Sequence, residues 1–219
     1  MKHKSFVIYA SAFLLVLAAN TWLFIRYKNI SEQSQIYERE MVDCKERTET
    51  ANLSTALLAH SVANSYKYDC FHIDDLLLED TKGKKQMLSD VLQEGSTPKL
   101  VFFFSYLNCE SCIASIFSSL KDCCSEMDND AVVIIGEFAN RLAVDVYLGT
   151  SDIPFRVYYK NESQPIEILE KEGAPFVCIM KPDMVARNLM FPVKEVPLYL
   201  NLYTEAMKSK YFNKTVVAP

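Results

Sequence analysis

Glycine and histidine are scarce in this chain of 219 residues, which has five glycines and three histidines. No histidine follows His72. So few glycines argue against collagen-like repeats, flexible Gly-rich linkers and the glycine-rich loops that cradle phosphates. A Cys-His hydrolase needs a histidine that its cysteine can reach, and the region after residue 72 offers none. We therefore expect His60 and His72 to be surface or packed residues without a catalytic role.

Basic charge is also lacking over most of the chain. Residues 1–30 hold four lysines and arginines and no acid, whereas the net charge of the whole chain is -5, so the other 189 residues carry -9. Phosphate binding needs clustered lysine and arginine, so a nucleic-acid partner is excluded. Half of the residues are hydrophobic and 23% are charged, which indicates a globular chain.

An apolar segment, Phe6–Ile25, opens the chain and predicts a membrane anchor. Its 20 residues carry no formal charge, and at about 1.5 Å per residue they would cross about 30 Å of hydrocarbon. A cleaved signal peptide is the alternative, with Val16–Ala18 as the small-residue site. The apolar run continues beyond that site, so we predict an uncleaved, single-pass anchor over residues 1–30, with the long chain outside the cytoplasm.

Residues 31–66 are predicted to form a polar helical stalk. The segment 31–50 holds six acids, three bases and neither glycine nor proline, a composition that favours a solvated helix. Its apolar residues form only a broken stripe, so a helical spacer is favoured over a coiled-coil dimer. Cys44 lies in this stalk, where it is either solvated or joined to a second chain by a disulfide.

Residues 67–219 read as a domain of alternating strands and helices, which predicts an α/β sandwich with helices on both faces. Residues 100–105, LVFFFS, form a continuous apolar run that suits a central strand buried on both sides. Strands are predicted at 76–80, 100–105, 131–136, 155–159, 176–180 and 184–190, and helices at 110–125, 139–148 and 194–211.

A CxxC motif, Cys109–Cys112, falls directly after this central strand and at the start of the next helix. A helix N-terminus carries about half a positive charge and unpaired N–H groups, which stabilise a thiolate on the first cysteine. The second cysteine lies one helical turn further and can attack a mixed disulfide. A CxxC at a strand-to-helix junction therefore indicates thiol–disulfide chemistry.

Three segments, LEDTKGKKQMLSDVL, PKLVFFFSYLNCESC and EGAPFVCIM, follow one another in this order. With them, residues 70–211 resemble the membrane-tethered TlpA/ResA-like branch of the thioredoxin superfamily. The resemblance implies a thioredoxin-like sandwich, a central mixed sheet flanked by helices, preceded by the transmembrane helix and the stalk.

The same resemblance implies residue roles and partners. Cys109 would be the nucleophile and Cys112 the resolving thiol, while Pro175 would be a cis-proline beside them and Ala174 would present its backbone to an extended substrate. The implied activity is that of a thiol–disulfide oxidoreductase, with reduction as the preferred direction and the periplasm as the implied location, and with no cofactor and no metal. Its partners would be a disulfide-bearing protein and a thiol electron donor.

Three positions depart from the family pattern and leave a redox-inactive interaction module as the alternative. Asn108 stands where the family has an aromatic residue before the first cysteine. Phe103 stands where the family often has a buried acid or amide that moves a proton. Glu110 places a carboxylate beside the nucleophile and is expected to modulate it by opposing thiolate formation.

The remaining cysteines favour structural roles. A zinc site made of Cys109, Cys112, Cys123 and Cys124 is disfavoured, because eleven residues of helix separate Cys112 from Cys123 by about 16 Å. Cys124 and Cys178 are predicted to be buried, and Cys123 could pair with Cys70. Tyr106 occupies the place of the threonine that peroxiredoxins have three residues before their reactive cysteine, which argues against a peroxidase.

Overall fold

The computed structural model describes residues 2–95, 98–138, 154–161 and 165–212, and for residues 2–16, Ala18, Glu110 and Asn161 it describes the backbone alone. The helix predicted at 139–148 lies outside the described residues. The chain divides into two compact units, Met1–Leu53 and Ser54–Pro219.

The first unit is helical and belongs to α1, which spans Lys2–Tyr68. Residues 31–50 are helical, as their composition predicts, and carry ion pairs four residues apart, such as Arg47–Asp43 at 2.8 Å. Within the part of the chain that the structure describes, no helix is long and apolar enough to cross a membrane. Residues 6–16 and Ala18 of the predicted span Phe6–Ile25 lie outside the described side chains.

The second unit contains the last turns of α1 and the α/β domain. The remaining strands and helices are, in chain order, β1 Phe71–His72, β2 Leu77–Asp80, β3 Lys85–Met87, α2 Leu88–Gln93, β4 Lys99–Ser105, α3 Glu110–Cys123, β5 Val132–Phe138, β6 Arg156–Asn161, α4 Glu167–Glu172, β7 Phe176–Met180, β8 Val185–Met190 and α5 Pro197–Met207. The six predicted strands are confirmed within two residues at each end. One short helical turn lies between α3 and β5, and another follows α5.

The strands form one mixed sheet in the order β1-β8-β7-β4-β5-β6-β2-β3. β4, β5 and β6 are parallel, and the other neighbouring pairs are antiparallel. The parallel unit β4–α3–β5 and the antiparallel hairpin β7–β8 with α5 behind it meet at the β4–β7 pair. This strand order is a thioredoxin-like α/β fold, as predicted.

Hydrophobic residues cover both faces of the sheet, because the side chains of its central strands alternate between two cores. Phe102 and Phe104 lie with α3 and α5, and both rings meet Phe117 edge-on at 5.5 Å. Phe103 faces the other way, toward α2 and α4, and stacks on Phe176 at 4.8 Å. All seven residues of β4 are buried, which confirms the prediction of a central strand.

Gly136 gives a test of this packing. A Cβ at Gly136 would lie 2.9 Å from Cζ of the buried Phe104 ring, which the sheet register holds opposite it. We expect Gly136→Ala to lower the free energy of unfolding by about 1–3 kcal/mol, the usual cost of overpacking, measured by denaturant titration. Gly173→Ala is the comparison, because its Cβ would meet nothing within 4 Å and only its φ of +60° adds strain. A Gly136→Ala midpoint equal to the parent's would contradict the packing.

Candidate active site

The two cysteines of the CxxC motif lie where the carboxyl end of β4 leads into α3. Cys109 is the N-cap of this helix, and its carbonyl oxygen accepts hydrogen bonds from the backbone N–H groups of Cys112 (3.0 Å) and Ile113 (3.1 Å). Cys109 is exposed and Cys112 is half-buried. This difference is the one expected for an attacking and a resolving thiol.

The surroundings of the two sulfurs shift their pKa values in opposite directions. The Ser111 hydroxyl lies 3.1 Å from Cys109 Sγ, and hydrogen bonds from Ser111 and then Cys112 lower the pKa of Cys109 to about 7, with a small contribution from Lys194. Burial raises the pKa of Cys112, and the neighbouring Cys109 raises it further. Near neutral pH the first thiol is therefore partly ionised, while the second keeps its proton.

Ser111 is a residue that the sequence reasoning missed. We expected Glu110 to oppose the thiolate, but its side chain lies outside the described residues, so that effect stays a prediction. The hydroxyl one position further on supplies a favourable contact instead. A serine inside a CxxC is a usable signal, since a hydroxyl two residues after an N-cap thiol can reach it.

Asn108 ties the CxxC turn to the loop that carries Pro175. Its side chain is buried, its Oδ1 accepts a hydrogen bond from the Ser105 backbone N–H at 2.7 Å, and its Nδ2 donates to the Gly173 carbonyl at 3.0 Å. The sequence reasoning counted Asn108 only as a departure from an aromatic residue. Unlike an aromatic ring, an amide can accept one hydrogen bond and donate another at the same time, and Asn108 joins the two segments in this way.

A groove of about 240 Å³ lies over the two cysteines, and we call it the dithiol groove. Ala174 and Pro175 line it together with Cys109 and Cys112, so the structure brings the four predicted residues to one place. The cis form of the Ala174–Pro175 bond stays a prediction. The other lining residues are Leu57, His60, Ser61, Asn64, Asn108, Gly173 and the segment 191–195.

The last turns of α1 form one wall of this groove, which was not expected of a solvated stalk. Ser61 donates a hydrogen bond to the Phe191 carbonyl at 2.5 Å. The Glu172 carboxylate accepts hydrogen bonds from Asn64 at 2.7 Å, Lys67 at 2.9 Å and Tyr68 at 2.6 Å. Glu172 directly precedes the loop of Ala174 and Pro175, so the same residue anchors the helix and borders the site.

These contacts hold the pKa of Glu172 below its ordinary value, through hydrogen bonds from Tyr68 first and Lys67 next. A carboxyl group whose pKa is lower in the folded state stabilises that state above its unfolded pKa. This stabilisation is lost as the pH falls through the lowered pKa. Acid therefore loosens the end of α1 from the groove.

Phe103 is fully buried, as predicted, and its ring stacks on Phe176. It stands at the position where the resemblance implies a buried acid or amide. A buried carboxylate lies instead on the neighbouring strand, where Glu137 pairs with Lys160 at 3.3 Å. Burial raises the pKa of Glu137, and Lys160 opposes that shift. Neither residue was singled out from the sequence, because their contact depends on the register between β5 and β6.

Cys70, Cys123, Cys124 and Cys178 are not among the residues that line the groove, and the seven cysteines of the chain are all free. Cys124 and Cys178 are buried, as predicted, and burial raises both pKa values, that of Cys124 to about 12. Cys123 is half-buried and its thiol donates to Asn201 at 3.2 Å. Among the described residues, no group of three or more metal-binding side chains comes together.

Comparison with known proteins gives similarities of fold. A scan of protein-family models and a search of curated proteins each found no match. A putative thiol:disulfide interchange protein DsbE from Chlorobium tepidum is 12% identical, with a TM-score of 0.47 over 62% of this chain and 94% of its own. The thioredoxin domain of a thiol-disulfide oxidoreductase from Bacteroides vulgatus is 13% identical, with a TM-score of 0.45 over 62% and 97%.

A peroxidoxin from Mycobacterium tuberculosis is similar to the same extent, at 13% identity and a TM-score of 0.44 over 64% of this chain and 97% of its own. At such identities and scores we transfer neither activity nor substrate from any of the three. The fold is defined by the strand order of this chain itself.

The contact between Ser111 and Cys109 leads to a prediction about reactivity. We expect Ser111→Ala to raise the pKa of Cys109, so that its alkylation by iodoacetamide rises with pH at a higher midpoint than the parent's value of about 7. Ser118→Ala, on the exposed side of α3, is the control and should leave the midpoint in place. Identical profiles for Ser111→Ala and the parent would show that the hydroxyl does not activate this thiol.

The Glu172 anchor leads to a second prediction. Glu172→Gln removes a charged acceptor of three hydrogen bonds, so we expect a loss of about 1–3 kcal/mol in the free energy of unfolding and faster amide exchange in Asn64–Tyr68. In the parent, the protection factors of these amides, which correct for the slower intrinsic exchange in acid, should fall on acidification. Glu170→Gln, an exposed position of the same helix, is the control. Unchanged exchange in Glu172→Gln would contradict the anchor.

Proposed function

We propose that this protein is a thiol–disulfide oxidoreductase in which Cys109 attacks the substrate and Cys112 resolves the mixed disulfide. The proposal rests on one observation, that the two thiols of one groove differ in exposure and in pKa. Cys109 is exposed with a pKa of about 7, and Cys112 is half-buried with a raised pKa. A pair in which one thiol is ionised and accessible while its neighbour is kept protonated is arranged for stepwise exchange.

In the reducing direction, the Cys109 thiolate attacks one sulfur of a substrate disulfide. A bond forms between that sulfur and Cys109 Sγ, and the other substrate sulfur leaves with the bonding electron pair and takes a proton from solvent. The Cys112 thiol then loses its proton and attacks Cys109 Sγ, which releases the first substrate sulfur as a second thiol. The substrate gains two electrons, and the Cys109–Cys112 disulfide waits for a thiol electron donor.

The remaining parts of the dithiol groove fit a disulfide-bearing protein as the substrate. Ala174 and Pro175 line the groove with both sulfurs, and in our proposal they receive the substrate backbone next to the attacked disulfide. Reduction is the preferred direction, and isomerisation uses the same first step. Neither direction calls for a cofactor, because the electrons stay on sulfur throughout.

The site of action that we propose is outside the cytoplasm, on a membrane. The support is the charge-free segment Phe6–Ile25, with Lys2 and Lys4 before it and Arg26 and Lys28 after it. The backbone of α1 is helical through this segment. An oxidising compartment is also where a dithiol reductase meets disulfide substrates.

Phe103 favours a second candidate, a redox-inactive interaction module. Its ring is buried and stacked on Phe176, and it stands at the position where the resemblance implies an acid or amide that moves a proton during thiol chemistry. The two candidates differ in one measurable property, the reversible Cys109–Cys112 disulfide. Free thiols trapped before and after dithiothreitol, and mapped by mass spectrometry, will show this disulfide only if the protein is an oxidoreductase.

Single cysteine variants test the two roles. Cys109→Ser should form no mixed disulfide with a substrate protein, because the exposed nucleophile is gone. Cys112→Ser should accumulate the mixed disulfide, because nothing resolves it. Non-reducing gels of both variants provide the readout, and Cys123→Ser serves as the control cysteine. Equal trapping by Cys109→Ser and Cys112→Ser would refute the assignment of roles.

A further inference from the structure

His60 is an exposed residue on the α1 wall of the dithiol groove. It lies on the same face of the helix as Leu57 and Asn64, three residues before it and four after it, and these two also line the groove. The chemistry proposed above uses neither the histidine nor the wall. An accessible imidazole across a groove from a reactive thiol is in a position to contact whatever that thiol attacks.

Hydrogen bonds define which nitrogen of His60 carries the proton. Asn64 Nδ2 lies 2.7 Å from Glu172 Oε2, and because a carboxylate only accepts, this atom is the amide nitrogen. The same nitrogen is 3.4 Å from His60 Nδ1, a long hydrogen bond in which Nδ1 accepts. The neutral ring therefore holds its proton on Nε2. The chain Glu172–Asn64–His60 orients an N–H donor on the groove wall.

His60 and Cys109 line the same groove, which has a volume of about 240 Å³. A substrate disulfide that reaches Cys109 therefore enters the space that the α1 wall borders. When one of its sulfurs meets Cys109, the other is in a position to contact this wall.

We propose that His60 donates a hydrogen bond from Nε2–H to the leaving sulfur of the substrate disulfide, so that α1 forms part of the substrate-binding surface. This inference rests on the proposed oxidoreductase function. As Cys109 Sγ bonds to the near sulfur, the far sulfur takes the electron pair and becomes a thiolate. The Nε2–H group stabilises that charge, and the proton that completes the thiol comes from solvent.

Several charged and titratable groups lie around His60. Glu172 contacts Asn64, the neighbour of the ring, and Lys194 and Glu195 of the groove lining carry opposite charges. The Cys109 thiolate and the Cys112 thiol complete the titratable groups of the groove.

The test compares two uncharged disulfide probes that differ in their leaving groups. Hydroxyethyl disulfide releases an ordinary alkyl thiolate, which needs stabilisation, whereas dipyridyl disulfide releases a far more acidic thiol that leaves without help. With reduced protein at one fixed pH, we expect His60→Ala to slow the loss of the Cys109 thiol about three- to tenfold with the alkyl probe. With the dipyridyl probe the rate should not change.

Two further variants separate the hydrogen bond from a general effect. His60→Gln retains an N–H donor and should recover part of the alkyl-probe rate, and His72→Ala, at the exposed histidine of β1, should leave both rates unchanged. Equal slowing with both probes, or no slowing with either, would overturn the role of His60. A parent protein that reacts with neither probe would instead disprove the oxidoreductase function on which this inference rests.

Discussion

The amide of Asn108 is the contact on which the site depends. It closes the turn after β4 through the Ser105 backbone and reaches across to the Gly173 carbonyl. This link joins the N-terminus of α3 directly to the loop before β7. With it, the sulfur of an N-cap cysteine and the buried Pro175 face one groove.

Glu172, the last residue of α4, makes a second link directly before Gly173. Glu172 collects the side chains of Asn64, Lys67 and Tyr68 and so holds the end of α1 beside the groove. Its carboxylate is largely buried, with 11% of the side chain exposed, and charge-assisted hydrogen bonds to such a group are stronger than neutral ones. Residues 172–175 therefore contact the cysteine-bearing turn on one side and the end of α1 on the other.

The sequence predicted the sheet well and the groove poorly, for physical reasons. Strands such as β4 and β7 are unbroken apolar runs, and burial on both faces leaves that pattern in the sequence. The docking of α1 depends on hydrogen bonds from Ser61 and Asn64, which leave no hydrophobic stripe. Only the spacing of Leu57, Ser61, Asn64 and Tyr68, at intervals of four, three and four, indicates one helix face.

The candidate site was likewise predicted only in part. The CxxC motif identified Cys109 and Cys112, because a thiol before a helix is visible as a local pattern. The contact of Ser111 with Cys109 is local and could have been read from the motif, whereas one of the two hydrogen bonds of Asn108 reaches a residue 65 positions away. Such a long-range polar contact depends on the folded backbone, so a lone sequence does not reveal it.

The central claim is that the two thiols of one helical turn have different acidities, and separate titration of the two cysteines measures this directly. In reduced protein with labelled cysteine β-carbons, NMR chemical shifts followed against pH give each pKa in turn, with Cys109→Ser and Cys112→Ser assigning the signals. We expect Cys109 to titrate near pH 7 and Cys112 to titrate above the ordinary cysteine value. A single shared midpoint, or Cys112 ionising first, would contradict the assignment of nucleophile and resolving thiol.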